Sequence, residues 1–263
     1  MEYVLITGSN GGMGSETVKL LIQQGYGVIA LDKTLCPACD NCFAIQADIT
    51  DEQSILSALD AVKQITPKLH AIIHYAGIYA LNSLIEMEKN EFERVIKVNF
   101  LGACAINRVF VPLLEKNGRI IIMTSELAPL NPLPFTGLYA VSKSALDKYA
   151  YSLRMELQLL GISVSVLRAG AVKTDMLGVS TTALEKFVNS TKLYNCNAKR
   201  FKKVVDSVEA KAVEPSVIAK KSLKILKKKK PKFAYAVNRN PLLRLLNVLP
   251  KQLQFWIIRK ILK

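Results

Sequence analysis

The feature that most constrains this chain is a short apolar run that breaks into glycines and resumes as a helix. Tyr3–Ile6 is strand-like, and Thr7-Gly8-Ser9-Asn10-Gly11-Gly12-Met13-Gly14 follows it. Val18, Leu21 and Ile22 then recur at helical spacing up to Gly25, and Val28-Ile29-Ala30-Leu31-Asp32 reads as a buried strand closed by an acid. Strand, glycines, helix, strand and acid together make a βαβ unit of the kind that binds dinucleotides. Amides at a helix N-terminus attract an anion, and glycines remove the Cβ atoms that would hold a pyrophosphate away. On this reading Gly8, Ser9, Asn10, Gly12, Met13 and Gly14 form a phosphate cradle. Asp32 ends the second strand, where a carboxylate accepts hydrogen bonds from a ribose 2′-OH and repels a 2′-phosphate, which argues for NAD over NADP. Lys33 pulls the other way, since a basic group tolerates the phosphate.

The βα alternation continues. Phe43–Gln46 is a third strand running into Ala47-Asp48-Ile49-Thr50-Asp51, which caps a helix over 51–64 and sets Asp48 and Ile49 beside an adenine edge. Ala71-Ile72-Ile73-His74-Tyr75-Ala76-Gly77 is a fourth strand with Ala76 and Gly77 on the cofactor side. A helix from about Lys89 runs through Asn99 to Leu114; an Asn there either distorts the helix or is a bonded polar core residue. A fifth strand over 118–125 carries Ser125 at its carboxyl end, where ligands of open α/β sheets bind. A helix opened by Tyr139 runs to about Leu160, and a sixth strand, Ile162–Leu167, leads into a turn holding Val172 and Thr174. Glu214-Pro215 starts a helix to about Lys230, and 233–237 is the last strand.

Tyr139-Ala-Val-Ser-Lys143 puts a phenol and an ammonium on one helix face, one turn apart. An ammonium favours the phenolate, so the expectation is a Tyr139 pKa drawn down from its reference of about 10, which makes the phenol a general acid/base for an alcohol or carbonyl.

The glycine pattern with Asp32, Asp48, Asn99, Ser125, Tyr139 and Lys143 resembles the short-chain dehydrogenase/reductase family, in particular its hydroxysteroid- and retinol-type members, over residues 2 to about 175. The resemblance implies a Rossmann fold, a doubly wound seven-stranded parallel sheet in three αβα layers, with a nicotinamide cofactor. It implies that Tyr139 is the acid/base and that Lys143 tunes it and binds the nicotinamide ribose. It further implies that Ser125 bonds the substrate oxygen, with Thr124 as a substitute, that Asn99 holds a water in a proton relay, and that Thr174 meets the carboxamide. Departures stand out: His74-Tyr75-Ala76-Gly77 replaces Asn-Asn-Ala-Gly, Ala169-Gly170 replaces Pro-Gly, and a proline-rich loop of one extra residue precedes Tyr139. The implied activity is NAD(H)-dependent interconversion of a secondary alcohol and its ketone. A sensor or scaffold that binds dinucleotide without turnover is the alternative, and it would use the basic tail on a membrane or partner. Family habit implies a homodimer or homotetramer.

The charge is uneven. Residues 192–263 hold 20 Lys and Arg against three acids, while the preceding 191 hold 16 against 18. The domain is expected to span 1–240, with a substrate lid over 175–213 to which Met176, Leu177 and Gly178 contribute, followed by a basic amphipathic extension over 241–263. Leu, Ile, Phe and Trp interleaved with Arg and Lys suit a membrane interface, a cover over the substrate mouth, or a dimer contact. The run Lys227–Lys230 reads as a solvated helix end, and no aromatic-interleaved motif points to nucleic acid. A lipophilic substrate, steroid-like or another lipid, fits these features. No stretch of about 18 apolar residues is present, and the N-terminus has no signal-like segment, so a cytoplasmic location, peripheral at the inner membrane surface, is expected. Five cysteines suit a reducing compartment. Cys36, Cys39 and Cys42 have metal-like spacing but no evident fourth ligand, so no metal is expected.

Overall fold

The computed structural model describes residues 1–37, 39–209 and 211–263, and for 175–181, 208 and 209 the backbone alone. Seven strands form one parallel sheet: β1 Tyr3–Thr7, β2 Gly27–Asp32, β3 Cys42–Gln46, β4 Leu69–His74, β5 Leu114–Ser125, β6 Ser163–Ala169 and β7 Ala234–Val237. The order is β3-β2-β1-β4-β5-β6-β7, so the winding reverses between β1 and β4. At that switch point the carboxyl ends of two neighbouring strands part and leave a crevice. The strands are near-continuous Val, Ile and Leu because helices cover both faces. Helices α1 (Gly12–Gln23) and α8 (Pro215–Leu226) pack on one face against Val4, Ile6 and Val28. The other face carries α2 (Glu52–Ile65), α4 (Gly102–Phe110) and α5 (Gly137–Leu157), packed on Leu5, Ile72, Ile120 and Val164. The expected three-layer αβα architecture is the observed one.

Three local features matter for the site. The helix expected from Lys89 to Leu114 is α3 (Lys89–Ile96), a π-turn over Lys97–Leu101, then α4, and it ends in a 3₁₀ turn at Pro112, so β5 begins at Leu114 rather than 118. By length and hydropathy the stretch Lys89–Leu113 could cross a membrane, but here it is packed into the fold, with Val95, Ile106 and Phe110 buried. The extension over 241–263 forms two helices, α9 (Pro241–Val248) and α10 (Lys251–Leu262), because Pro250 cannot donate an N–H and its ring excludes α geometry from Leu249. Between β6 and α8 lie α6 (Asp175–Ser190) and α7 (Asn195–Glu209), over the stretch where a substrate lid is expected, and α10 packs against α7. Leu184, Phe187, Phe201 and Leu262 share one buried cluster with Phe135 of the proline-rich loop. Beyond their backbone, Met176, Leu177 and Gly178 lie outside the described residues.

Candidate active site

The turn from β1 to α1 shows why its glycines are required. Gly8 has φ +68°, and a Cβ there would stand 2.5 Å from the Ala76 nitrogen. A Cβ on Gly14 would meet the Gly8 carbonyl oxygen at 2.1 Å, and one on Gly12 would lie 2.9 Å from Thr174 Cγ2. Bare backbone therefore faces a groove of about 960 Å³, which passes from Asp32, Asp48 and Ile49 across the glycine turn to Ala76, Gly77 and Thr174. Asn10, Gly12, Met13, Gly14 and Lys33 line it as well. Ser9 does not; it is buried, with its hydroxyl 3.1 Å from Cys36 Sγ. Val172 lines the neighbouring cavity instead. The groove has the shape and the amide-lined bend that a dinucleotide needs. Thr34, Asn90 and Lys97 also line it, and sequence reasoning missed them because only the fold brings α3, the π-turn and the β2 loop to the same rim.

At the β2 end of the groove, Asp32 Oδ2 accepts the Asn10 backbone N–H at 2.9 Å, which turns the carboxylate across the end of β2. Lys33 Nζ is 2.9 Å from Asp48 Oδ2, an ion pair across the groove rim. Hydrogen bonds from Thr50 and Lys33 hold the Asp48 carboxyl down at about 2, so it is ionised and occupied by its own neighbours. Cys36, Cys39 and Cys42 lie beside this end, and all five cysteines are free thiols. Burial and the neighbouring Cys39 push Cys42 up to about 12.

A second cavity of about 560 Å³ adjoins the groove and shares Met13, Tyr75, Gly77, Tyr79 and Thr174 with it. Ser125, Tyr139 and Lys143 line this cavity from the end of β5 and the first turns of α5. Lys143 Nζ donates to the Met123 carbonyl at 3.3 Å and lies 5.9 Å from the centre of the Tyr139 ring. Tyr79 packs on that ring at 4.7 Å between centroids, fixing its plane. Thr124 lines the same cavity, with its hydroxyl donating to Asp147, which Arg168 grips through two bonds of 2.9 and 2.7 Å. Asn99 lines neither space. It is buried in the π-turn, with Oδ1 accepting the Ile78 N–H at 2.7 Å and Nδ2 donating to the Ile78 carbonyl at 2.9 Å and to Ser142 Oγ at 3.0 Å. Both amide hydrogens are used, so the free lone pair of Oδ1 is what the side chain has left for a water. A Cβ on Gly77 would come within 3.2 Å of Lys143 Nζ and 3.3 Å of Asn99 Oδ1. The absent side chain thus lets the two polar groups approach a common space.

The pKa expectation needs correcting. Tyr139 stands at about 12, not below 10, because desolvation outweighs the hydrogen bond from Ser125 that opposes it. Lys143 falls to about 8 for the same reason. The ammonium points to the Met123 carbonyl rather than to the phenolic oxygen, so burial wins over attraction. At neutral pH the site holds a protonated phenol beside a largely protonated amine, which is an arrangement for giving a proton.

Much of the rest of the cavity is aliphatic. Leu243, Leu246, Leu249, Ile257 and Ile258 of the extension line it opposite Tyr139. Glu126 lines it as well, a buried carboxyl raised by desolvation whose Oε2 accepts the Asn240 backbone N–H at 2.6 Å. It ties β5 to the start of α9, and no motif in the sequence marked it.

The profile of the short chain dehydrogenase family matches residues 2–185. The chain belongs to the short-chain dehydrogenase/reductase family. It is 28% identical over 253 residues to the probable short-chain type dehydrogenase/reductase VdlC of Helicobacter pylori, covering 94% of this chain and 92% of that protein. It is 31% identical over 193 residues to the NADPH-dependent 1-acyldihydroxyacetone phosphate reductase of Schizosaccharomyces pombe, covering 69% of this chain and 65% of that enzyme. The fold matches a short chain dehydrogenase family protein from Francisella tularensis at a TM-score of 0.76 and 23% identity, over 90% of this chain and 97% of that one. Membership makes this an oxidoreductase of CH–OH groups that uses a nicotinamide dinucleotide.

Proposed function

We propose that this family member is an NAD(H)-dependent oxidoreductase that interconverts a lipophilic secondary alcohol, steroid-like or another lipid, and its ketone. The observation that carries the reading is the convergence of Ser125, Tyr139 and Lys143 on the space where the glycine-lined groove meets an aliphatic cavity. A bound nicotinamide dinucleotide supplies or accepts the hydride. Tyr139 Oη gives its proton to the carbonyl oxygen as an alkoxide develops there, and Ser125 Oγ donates a second hydrogen bond to that oxygen. The Lys143 ammonium favours negative charge at the phenol once its proton has gone.

Several features support the finer parts of the proposal. Asp32 at the end of β2, with Lys33 paired to Asp48, sets a carboxylate where a 2′-phosphate would sit, which favours NAD over NADP. The S. pombe relative is named as NADPH-dependent, so the choice rests on this chain's own residues. Its named substrate class, an acylated ketone, is compatible with an aliphatic cavity. The segments 175–213 and 241–263 then act as one cover over the substrate, with the Rossmann body as 1–240. Exposed Val141, Tyr151 and Met155 on α5 support a homodimer or homotetramer through that helix. The free thiols fit the cytoplasm, and Phe255 and Trp256 among basic residues fit peripheral contact with its membrane surface.

The test is Tyr139→Phe. Turnover of long-chain or steroid ketones, followed by NADH absorbance, should fall by roughly 10²-fold or more, the scale of a lost general acid. NADH affinity, followed by fluorescence, should stay within about 2-fold because the phenol does not hold the phosphates. Retention of most of the rate would overturn the assignment.

A further inference from the structure

The two helices of the C-terminal extension are apolar on more faces than one. Leu246, Ile257 and Ile258 turn into the cavity that holds Tyr139. Val248, Phe255 and Trp256 line no part of it and are 82%, 62% and 57% exposed. Leu242, Leu245 and Ile261 do both: they line the cavity and stand 72%, 62% and 53% open to solvent. They form an aliphatic rim where the cavity reaches the surface. A helix apolar on its inner and outer sides needs a partner on both, and a patch of this kind marks an interaction surface.

The charges say which partner. After Glu214 the chain has 14 Lys and Arg and not one Asp or Glu. Arg244, Lys251, Arg259, Lys260 and Lys263 are exposed on or beside these helices. Lys260 Nζ lies 5.8 Å from the Trp256 ring, so an indole and an ammonium sit together at the surface. A second copy of the chain would bring the same cations face to face, with no acids on these helices to receive them. Anionic lipid headgroups match both the cations and the aliphatic side chains between them, at about 1 kcal/mol per basic residue near the surface.

We infer that α9 and α10 dock on an anionic membrane surface with the cavity mouth against the lipid, so that substrate enters from the bilayer rather than from water. The docking stands on the surface alone; the entry of substrate rests on the reading of the cavity as the substrate site.

Trp256 is the single tryptophan of the chain, so its emission reports this surface and no other. The whole protein is titrated with phosphatidylglycerol/phosphatidylcholine vesicles and with pure phosphatidylcholine vesicles. The expected result is a blue shift and co-sedimentation with the anionic vesicles, at least 10-fold weaker in 0.5 M salt and on neutral lipid, with the contrast set by charge screening. Val248→Ser with Phe255→Ser, two residues outside the cavity lining, should reduce vesicle binding at least 10-fold while leaving NADH affinity and the turnover of a short water-soluble ketone unchanged. Anionic vesicles should raise the rate on a long-chain ketone in the unaltered protein and not in the double variant. No shift of Trp256 with anionic vesicles would overturn the inference. A shift that depends on protein concentration without lipid, with a dimer lost in the double variant, would overturn it in favour of a self-association face. Vesicle binding without turnover of any ketone would leave the docking intact and sink the oxidoreductase reading and lipid entry instead.

Discussion

Asn99 holds Ile78 by both backbone polar groups, accepting its N–H at 2.7 Å and donating to its carbonyl at 2.9 Å. One buried side chain thereby joins the π-turn between α3 and α4 to the loop that leaves β4 beside Gly77. The distortion of the helix and the satisfied amide, which the sequence offers as alternatives, occur together. Ser142, one residue before Lys143, takes the second amide hydrogen, so the clamp also reaches α5.

Asn99→Ala should therefore take the partner from both Ile78 groups at a half-buried position, at about 1–3 kcal/mol of stability from two lost bonds. Thermal unfolding should show the loss, and turnover should fall more than NADH affinity, because Gly77 and Lys143 lose their common support. A variant as stable as the parent would remove the clamp.

Lys143 gives a pH dependence with a definite sign. Its folded pKa is about 8 against an ordinary 10.5, so the unfolded chain binds the proton more tightly between those values and stability rises with pH across that window. The full cost is present below about 8 and gone above 10.5. Lys143→Met should raise the melting temperature at pH 7 by several degrees, from a gain of up to about 3 kcal/mol, while abolishing turnover. The gain should vanish near pH 10.5, as calorimetry at two pH values would show.

The same group sets the rate profile. Tyr139 keeps its proton up to about 12, so ketone reduction should decline as pH rises through about 8, where Lys143 loses its charge. A rate flat from pH 7 to 10 would exclude Lys143 from the proton-donating step.

Asp32→Ala removes the carboxylate that accepts Asn10 N–H and lines the β2 end of the groove. The ratio of NADPH to NADH affinity should rise by about 10-fold or more, equivalent to some 1.4 kcal/mol. Paired fluorescence titrations decide it, and an unchanged ratio would take Asp32 out of cofactor selection.

His74 predicts an acid weakness. It is buried, bonded through Nε2 to Asn107 Oδ1 at 2.9 Å, and desolvation lowers it to about 4 from 6.5. The unfolded chain binds that proton first, so stability falls as pH drops from 6.5 to 4 and no further from this group. His74→Gln keeps an N–H donor without a charge to gain, and its unfolding midpoint should fall less between pH 7 and 4.5 than that of the parent.

The strands and the phosphate turn were legible because their physics is local. Periodicity marked β1, β2 and β4, and glycines marked the places where backbone approaches backbone. The spacing of Tyr139 and Lys143 put both on one helix face, and the family resemblance assigned Ser125 and Asn99 before any contact was visible. What local pattern could not supply were quantities set by everything around a group. The Tyr139 pKa depends on how much water the surrounding elements exclude, and that burial reversed the sign expected from Lys143 alone. Glu126 was invisible because its partner, Asn240, is 114 residues away. The break at Pro250 was written in the sequence, but only packing shows that it lets one helix lie on α7 while both helices line the cavity. Sequence by itself determined the sheet, the glycine turn and the placing of Tyr139 and Lys143 on one helix face, since each follows from spacing along one element. Tertiary structure decided the protonation of that pair and the aliphatic cover over it, because desolvation and shape belong to no single segment.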